Sequence, residues 1–341
     1  MLAVTFGEIM LRLSPPAFER FLQSPQFSAT FGGGEANVAV SLAHFGLHSR
    51  YVTRLPCHAI GDAAIRALRA EGVDTAFVAR GGPRVGIYFA ETGASQRPST
   101  VIYDRAGSAI SEMSPDEVRW DDALSGAAWL HLTGITPALG ERARACTRAA
   151  IVAAKHAGAR ISIDLNYRKK LWTEAQAQET MRSMVKDADV LIGNEEDLQS
   201  VLGIAVTGAN VSRGTLDRGA YADAAARVSR EFGPILVAVT LRESLSASEN
   251  GWSAILWDAT AGCVHDSQRY VVTLVDRIGS GDSFAAGLIY GLLTNRPADA
   301  ALRFAVAASA IKQTIPGDFN RAGVAEVDAL AGGEASGRVQ R

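Results

Sequence analysis

The chain has 341 residues, of which 34 are Lys or Arg and 36 are Asp or Glu, so its formal net charge is −2. This balance excludes an extended basic surface for nucleic acid, because domains with such a surface usually have a high isoelectric point. Hydrophobic residues make up 48% and charged residues 21%, which is typical of a globular chain rather than a disordered one. The three cysteines lie far apart, which argues against a disulfide framework or a zinc site.

The sequence also lacks the usual signs of a membrane or secreted protein. No apolar run is long enough to span a bilayer. The N-terminal segment reads MLAVTFGEIMLRLSPP and has neither a basic region nor a small-residue cleavage site. We therefore expect a cytoplasmic protein without a membrane partner.

Short β-rich runs alternate with longer helical segments, which predicts an α/β fold with a mainly parallel sheet covered on both faces. In chain order the prediction is strands 3–6 and 10–13, helix 35–45, strand 51–54, helix 63–71, strands 84–91 and 101–105, strand 129–132, helix 142–157, strand 160–164, helix 174–185, strands 190–192, 235–241 and 270–275, and helices 284–293 and 301–314.

Residues 84–105 interrupt this alternation, because two strands follow each other without a helix between them. Val85, Ile87 and Phe89 occupy alternate positions, which is typical of a half-exposed antiparallel hairpin. With the strand near residues 9–14, the hairpin would form a small β-sheet that projects from the core as a lid. We expect a single domain over residues 1–331, followed by a disordered tail at 332–341.

The most informative segment is residues 276–287, DRIGSGDSFAAG, which stands between a predicted strand and a predicted helix. Such a turn aims backbone N–H groups and the helix dipole at one point, so it can hold an anion. Gly279 and Gly281 would let a phosphate approach the backbone closely. Asp282 has two interpretations: the N-cap of the helix, or a general base that takes a proton from an attacking hydroxyl in phosphoryl transfer. The pattern fits neither a P-loop, nor a dinucleotide fingerprint, nor a nucleophile elbow.

Two segments resemble the signatures of the ribokinase-like (phosphofructokinase B) carbohydrate kinases. Residues 276–287 match the C-terminal signature, with Arg277 in place of Thr and Ser280 in place of Ala. Residues 32–39, GGGEANVA, resemble the N-terminal signature, in which a pair of glycines precedes an Asn on a helix. The resemblance covers roughly residues 2–330. It implies a three-layer α/β core with a β-sheet lid, ATP and Mg²⁺ as cofactors, Asp282 as the catalytic base, and an anion hole formed by Gly279, Ser280 and Gly281.

Further motifs resemble the 2-keto-3-deoxygluconate kinase branch of that family, namely YDR at 103–105 and DLNYR at 164–168. An Arg can bind a carboxylate through two parallel hydrogen bonds, as an acidic sugar would require. The resemblance implies transfer of the γ-phosphoryl group of ATP to the 6-hydroxyl of this sugar acid. The substrate-binding residues that it implies are Gly33, Asn37, Tyr88, Tyr103, Arg105, Arg168 and Asp318.

The nucleotide side departs further from the family pattern. Residues 194–197 resemble the family's Asn-x-x-Glu, with Asp197 as the final residue, where its carboxylate would order a water of the Mg²⁺ shell. A glycine-bearing turn under the ATP is replaced here by TLRES at 240–244 and a polar insertion at 246–250. Lys312, on the last long helix, is expected to be solvated. The expected nucleotide contacts are Asn194, Thr240, Arg242, Gly279 and Gly281.

Other functions stay open on the sequence. A kinase of the same fold could act on a neutral sugar such as fructose or ribose, although the pair Arg105 and Arg168 would then lack a purpose. A ligand-binding module with an impaired site is suggested by Arg277, Asp197 and the altered stretch 240–250. A nicotinamide dehydrogenase is disfavoured by the missing third glycine. The lid hairpin could pair with that of a second copy, so we expect a homo-oligomer, either a dimer or a dimer of dimers.

Overall fold

The structure is a computed structural model that describes residues 1–194, 196–206 and 218–334. Of the tail predicted at 332–341, residues 332–334 form hydrogen-bonded turns after the last helix, and the rest lies outside the described residues. The strands are β1 (Leu2–Phe6), β2 (Met10–Ser14), β3 (Ser28–Gly32), β4 (His48–Leu55), β5 (Val78–Arg80), β6 (Gly86–Glu91), β7 (Thr100–Asp104), β8 (Ala127–Thr133), β9 (Arg160–Asp164), β10 (Val190–Asn194), β11 (Leu236–Ser244), β12 (Glu249–Asp258), β13 (Cys263–Asp266) and β14 (Tyr270–Thr273). The helices are α1 (Gly34–His44), α2 (Ala59–Ala70), α3 (Trp120–Ala123), α4 (Ile135–Ala138), α5 (Glu141–His156), α6 (Glu174–Met184), α7 (Asp197–Leu202), α8 (Arg218–Phe232), α9 (Ser280–Leu293), α10 (Ala298–Lys312) and α11 (Val324–Ala331).

The large sheet has the strand order β13-β12-β11-β10-β9-β8-β1-β4-β5, with β14 paired to β12. Its central strands, from β11 through β4, are parallel, which confirms the predicted mainly parallel core. The register brings Thr133 beside Asp164, and Asn194 beside Thr240, at the carboxyl ends of their strands. This edge of an open α/β sheet is where ligands usually bind.

Alternating side chains of the parallel strands pack into two hydrophobic layers. Val4 and Leu130 point toward α5, α6 and α8, whereas Ala3 and Trp129 point toward α1, α9 and α10. A strand buried on both faces requires apolar residues at nearly every position, which explains the continuous hydrophobic runs of the sequence. The result is the predicted three-layer core. No helix in the described ranges has the length and apolar character to cross a bilayer.

The antiparallel edge of the large sheet contains elements that the sequence did not predict. The segment expected to be a polar insertion at 246–250 is a turn that leads into β12, with Ser244 paired to Asn250 across the β11–β12 hairpin. The predicted strand 270–275 is the short β14, which runs antiparallel to β12. The strands β12 and β13 were not predicted, because β12 begins with polar residues and contains an Asn-Gly pair that usually marks a turn.

A separate four-stranded sheet, in the order β3-β2-β6-β7, forms the lid. The strand β2 runs parallel to β6, and β6 is antiparallel to β7, so the predicted hairpin is present. The strand β3, which pairs antiparallel with β2, was not predicted. The tip of the β6–β7 hairpin contacts the β11–β12 turn, where the Ala247 N–H donates to the Ser95 carbonyl at 2.7 Å.

Candidate active site

The carboxyl edge of the parallel strands, the start of α9 and the inner face of the lid enclose a cavity of about 360 Å³. All fifteen site residues proposed from the sequence line this cavity, although they come from distant parts of the chain. Their individual roles are not tested by this convergence and stay predictions. They are Gly33, Asn37, Tyr88, Tyr103, Arg105, Arg168, Asn194, Asp197, Thr240, Arg242, Gly279, Ser280, Gly281, Asp282 and Asp318.

Asp282 lies in the first turn of α9, which begins at Ser280 rather than at the predicted position 284. The N-cap of this helix is Gly279, with a φ of 86° in the left-handed region, and no side chain caps it. The Asp282 carboxylate instead accepts a hydrogen bond from the Asn37 side-chain amide at 2.7 Å. The interpretation of Asp282 as an N-cap is therefore wrong.

The surroundings of Asp282 raise the pKa of its carboxyl toward neutrality. Burial raises the pKa of Asp282 to about 6. The hydrogen bond from Asn37 and the positive charges of Arg168 and Lys312 act in the opposite direction, whereas Asp318 raises this pKa further. A carboxylate of this kind is ionised at neutral pH and can accept a proton from a substrate hydroxyl.

The backbone before Asp282 is the segment for which the family resemblance implies an anion hole, and this role stays a prediction. The hydrogen-bond ladder of α9 starts where the Ser283 N–H donates to the Gly279 carbonyl at 2.9 Å. Before it, the Ser280 N–H makes only a long contact of 3.4 Å with the Arg277 carbonyl. Gly279 itself has no space for a side chain, because a Cβ there would lie 2.2 Å from the Asp318 carbonyl oxygen. The Ser309 hydroxyl fixes this turn from α10 by donating to the Ser280 carbonyl at 2.7 Å.

Asn37 connects the two glycine motifs. Its side-chain oxygen accepts the Gly33 N–H at 3.2 Å, while its amide nitrogen donates to Asp282. Gly33 must be a glycine because a Cβ there would lie 1.9 Å from the Glu8 carbonyl oxygen. Asn37 thus holds the Asp282 carboxylate relative to the start of α1, a positioning role that the sequence hypothesis did not include.

Glu35, which the sequence reasoning missed, anchors the start of α1 to the end of β8. Its carboxylate accepts hydrogen bonds from the hydroxyls of Thr133 and Thr136, both at 2.8 Å. Burial raises the pKa of Glu35 to about 7. The available signal for Glu35 was the presence of a glutamate in a mostly apolar helix that begins with glycines.

Arg105 is not the free cation that the sequence hypothesis expected. Its Nε donates to the Glu8 carboxylate at 2.8 Å, and a second guanidinium nitrogen contacts the same oxygen. The Ser108 hydroxyl donates to the other Glu8 oxygen at 2.6 Å, and all three side chains are buried. Glu8 therefore neutralises the charge of Arg105. The available signal was the presence of an acid, Glu8, in an otherwise apolar N-terminal segment.

A second buried network joins the lid to the core. Arg12, on β2, forms ion pairs with Asp318 and Asp276, both at 2.7 Å. The Tyr88 hydroxyl donates to the other oxygen of Asp318 at 2.6 Å. Tyr88 and Asp318, both proposed as substrate contacts, are thus bonded to each other at one wall of the cavity. Arg12 was missed because its partners lie far away in the sequence.

Three arginines of the cavity differ from Arg12 and Arg105, since none forms an ion pair with a carboxylate within the described ranges. Arg168 donates to the Tyr167 carbonyl at 3.1 Å, and the side chain of Arg242 is exposed. Arg277 makes one long contact of 3.4 Å to Asn250, while its buried Nε has no hydrogen-bond partner. Burial and the neighbouring Arg242 lower the pKa of Arg277. These cations are available to an anionic ligand.

Two acids form a separate group at the ends of β9 and β10. The Asp197 carboxylate accepts the backbone N–H groups of Tyr167 and Asn194, both at 3.1 Å. Burial, followed by the nearby Asp197, raises the pKa of Asp164 well above its usual range. In the part of the chain that the structure describes, no cluster of three or more acids, histidines or cysteines could ligate a metal directly. The sequence reasoning quoted Asp164 but gave it no role, although it follows a buried strand.

The fold and this site belong to a known class of enzyme. Residues 2–320 match the family model of the pfkB family carbohydrate kinases, so the chain belongs to this family. This confirms the predicted fold class and the predicted carbohydrate kinase, a phosphotransferase with an alcohol group as acceptor. A dehydrogenase is thereby excluded.

Individual relatives cover nearly the whole chain. A solved structure named 2-dehydro-3-deoxygluconokinase, from Thermotoga maritima, is 49% identical and superposes with a TM-score of 0.94 over 98% of both chains. The 2-dehydro-3-deoxygalactonokinase of Haloferax volcanii is 33% identical over 97% of both chains. The 2-dehydro-3-deoxygluconokinase of Bacillus subtilis is 28% identical over 93% of this chain and 91% of its own.

Proposed function

We propose that the protein is an ATP-dependent sugar-acid kinase that phosphorylates the 6-hydroxyl of 2-keto-3-deoxygluconate, which is the 2-dehydro-3-deoxygluconate of the relatives' names. The observation that carries the proposal is Asp282, whose half-buried carboxylate faces a cavity with cationic walls and stands beside the first N–H groups of α9. The name and 49% identity of the Thermotoga maritima protein support this substrate class.

In the proposed reaction, Asp282 accepts the proton of the 6-hydroxyl while the oxygen attacks the γ-phosphorus. The new bond joins this oxygen to phosphorus, and the bond to the bridging oxygen breaks, so that ADP leaves with the bonding electrons. The backbone of Gly279, Ser280 and Gly281 stabilises the negative charge that develops on the transferred group. Asn37 holds Asp282 in place during the transfer, since it is bonded to the carboxylate.

Mg²⁺ is compatible with the donors at the ends of β9 and β10. Asp164 and Asp197 are buried acids whose carboxylates repel each other when both are ionised. A divalent cation would relieve this repulsion. Mg²⁺ usually keeps several waters and takes one or two carboxylates in addition to substrate phosphates. We propose that these two acids hold the ion through its water ligands, and that the bound ion neutralises phosphate charge.

On the nucleotide side, Arg242 and Arg277 would replace the missing glycine turn. Both side chains line the cavity, and a nucleotide polyphosphate would provide the anionic partner that neither has among the described residues. Asn194 and Thr240 stand next to each other at the same strand ends. We propose these four residues as contacts of ATP, which extends the sequence hypothesis by Arg277.

The carboxylate of the sugar acid is assigned to Arg168. Arg168 has no ion pair with a carboxylate in the described part of the chain, lies beside the acidic end of β9, and lowers the pKa of Asp282 through its positive charge. A neutral sugar stays a second candidate because of one specific observation: Glu8 already neutralises Arg105, so only one of the two predicted carboxylate-binding arginines is free.

A coupled ATP-consumption assay tests the substrate with four acceptors: 2-keto-3-deoxygluconate, its C4 epimer 2-keto-3-deoxygalactonate, fructose and ribose. We expect the highest kcat/KM with a sugar acid, and Arg168→Met should lower kcat/KM for sugar acids much more than for neutral sugars. Faster turnover of fructose or ribose, with no effect of Arg168→Met on the ratio, would establish the neutral-sugar alternative.

We also propose a homo-oligomer that is formed through the outer face of the lid. Ile102, which is 49% exposed, and Ile87 lie on this face, whereas Phe89 is covered by Phe21 and Phe27 of the same chain. The apolar area left for a partner is therefore smaller than the sequence pattern alone indicates. Light scattering coupled to size-exclusion chromatography measures the state directly.

A further inference from the structure

Lys312 is a fully buried lysine beneath the active site, at the last residue of α10. Its ammonium donates to the Ile315 carbonyl at 3.1 Å and makes a longer contact of 3.4 Å with the Asp276 carbonyl. Within the described ranges it has no ion pair with a carboxylate. The expectation that this side chain is solvated is wrong, and the position of its charge requires an explanation.

The two carbonyls that Lys312 binds belong to the two segments that build the phosphate end of the cavity. Asp276 opens residues 276–281, which we call the glycine loop, and Ile315 precedes the segment that carries Asp318. Between them, a Cβ on Gly279 would lie 3.2 Å from the Lys312 Cε and 2.2 Å from the Asp318 carbonyl oxygen. Lys312 therefore packs against the underside of the glycine loop and connects it to the neighbouring segment.

Burying an ammonium group in this space costs free energy. Two carbonyl oxygens offset only part of the lost hydration, and an apolar side chain of similar size would avoid that loss. Burial accordingly lowers the pKa of Lys312, and Arg12 acts in the same direction. The opposing groups are the acids around it, Asp276, Asp318 and Asp282, which favour its charged form. The nearby acids thus oppose the effect of burial on this lysine.

We propose that Lys312 is a positioning residue that serves as a fixed internal cation beneath the glycine loop, where it holds the loop and offsets the negative charge of the transferred phosphoryl group and of Asp282. This proposal rests on the proposed kinase function. It assigns the chain a resident positive charge that neither the substrates nor a bound ion has to supply.

The charge of Lys312 has a measurable consequence at Asp282. The charged or titratable groups that act on Asp282 are Arg168 from the loop after β9, Asp318 from the segment after α10, and Lys312 from α10 itself. The other acids coupled to Asp282 are Glu35 on α1 and Asp164 at the end of β9. Because the positive charge of Lys312 lowers the pKa of Asp282, its removal should move the acid limb of the kcat profile to higher pH.

The test compares Lys312→Met, which removes charge and hydrogen bonds, with Lys312→Gln, which keeps a donor but no charge. The matched control is Ser309→Ala, because Ser309 reaches the same loop from the same helix through a neutral hydrogen bond. We expect both Lys312 variants to lower kcat by about 10- to 100-fold with little change in the sugar KM, and to shift the acid limb upward by ~0.5–1 pH unit. Ser309→Ala should lower kcat less than the Lys312 variants do and should leave the acid limb of the kcat profile unshifted.

Three outcomes overturn the proposal. The first is an acid limb of the kcat profile that stays in place in both Lys312 variants. The second is an equal shift of that limb in Ser309→Ala. The third is loss of the native fold in both Lys312 variants, which would make Lys312 a residue needed for folding. Any acceptor that the wild type phosphorylates serves for these comparisons, so an error in the substrate assignment does not affect them. Calorimetric binding of ADP adds a readout without turnover, and both Lys312 variants should weaken it more than Ser309→Ala does.

Discussion

The two ends of the cavity hold their charges in different ways. At the sugar end, between the lid and α1, the two buried arginines have fixed partners: Arg105 is paired with Glu8, and Arg12 with Asp318. The half-buried Asp282 accepts a hydrogen bond from Asn37, and Arg168, assigned to the sugar carboxylate, is the exception without an ion pair among the described residues. At the donor end, near the β11–β12 hairpin, Arg242 is exposed, and the buried Nε of Arg277 has no hydrogen-bond partner among residues 1–194, 196–206 and 218–334.

This difference corresponds to what each ligand brings. A sugar acid carries one charge and several hydroxyls, so it is recognised by hydrogen-bonding groups that are already held in place, and fixed geometry favours discrimination. A nucleotide polyphosphate carries several negative charges and can itself neutralise arginines that have no partner in the protein. The sugar end is therefore preorganised by internal ion pairs, whereas the donor end is completed by its ligand.

The largest effect is expected at Asp282, where the two ends meet. Asp282→Asn keeps the side-chain size but cannot accept the hydroxyl proton, so kcat should fall by about 10³-fold. Binding of the sugar and of ADP, measured by calorimetry, should change little. A variant that retains near-full kcat would show that Asp282 is not the base and would remove the link between the two ends.

The pH profile of the wild type tests the same carboxyl without a substitution. The base must be ionised, and burial raises the pKa of Asp282 to about 6. The kcat should therefore be constant above neutrality and decline as the pH falls through about 6. An acid limb near the ordinary carboxyl range, below about 4.5, would mean that Asp282 is hydrated or that another group acts as the base.

The sequence predicted the parts of this site that are contiguous in the chain. The glycine loop and Asp282 form one short motif whose geometry follows from a strand, a turn and a helix start. The partnership of Glu8 with Arg105 spans 97 positions. The local pattern shows Glu8 as an acid in an otherwise apolar segment, but it does not indicate which residue Glu8 pairs with. Lys312 was misjudged for a related reason: a lysine in the last turn of a helix usually interacts with its dipole at the surface, and only the packing of α10 under the glycine loop buries it.

The sugar-end ion pairs give the second expected effect, which is on stability. Glu8→Gln keeps the side-chain size but leaves Arg105 buried without a counter-charge, which should lower the free energy of unfolding by about 3 kcal/mol. Asp104→Asn is the matched control in the same lid, because Asp104 pairs with Arg84 in a solvent-exposed position. Equal urea midpoints for the two variants would contradict the idea that the sugar end is preorganised by buried pairs.

The smallest effect is expected at the donor end. Arg277→Thr introduces the residue of the family signature and removes a cation that the nucleotide polyphosphate would neutralise. The KM for ATP should rise about 10-fold, in line with one lost charge-assisted contact, while the sugar KM and the urea midpoint stay nearly constant.

Arg303→Thr provides the control for this last change, because Arg303 is an exposed arginine on α10 that is already paired with Asp299. Its KM for ATP should equal that of the wild type at the same ionic strength. If Arg277→Thr instead lowers stability as much as Glu8→Gln and leaves the KM for ATP unchanged, then Arg277 is a structural residue, and the donor end is built like the sugar end. If the KM for ATP rises alone, the buried Nε of Arg277 is unpaired because its partner is the nucleotide.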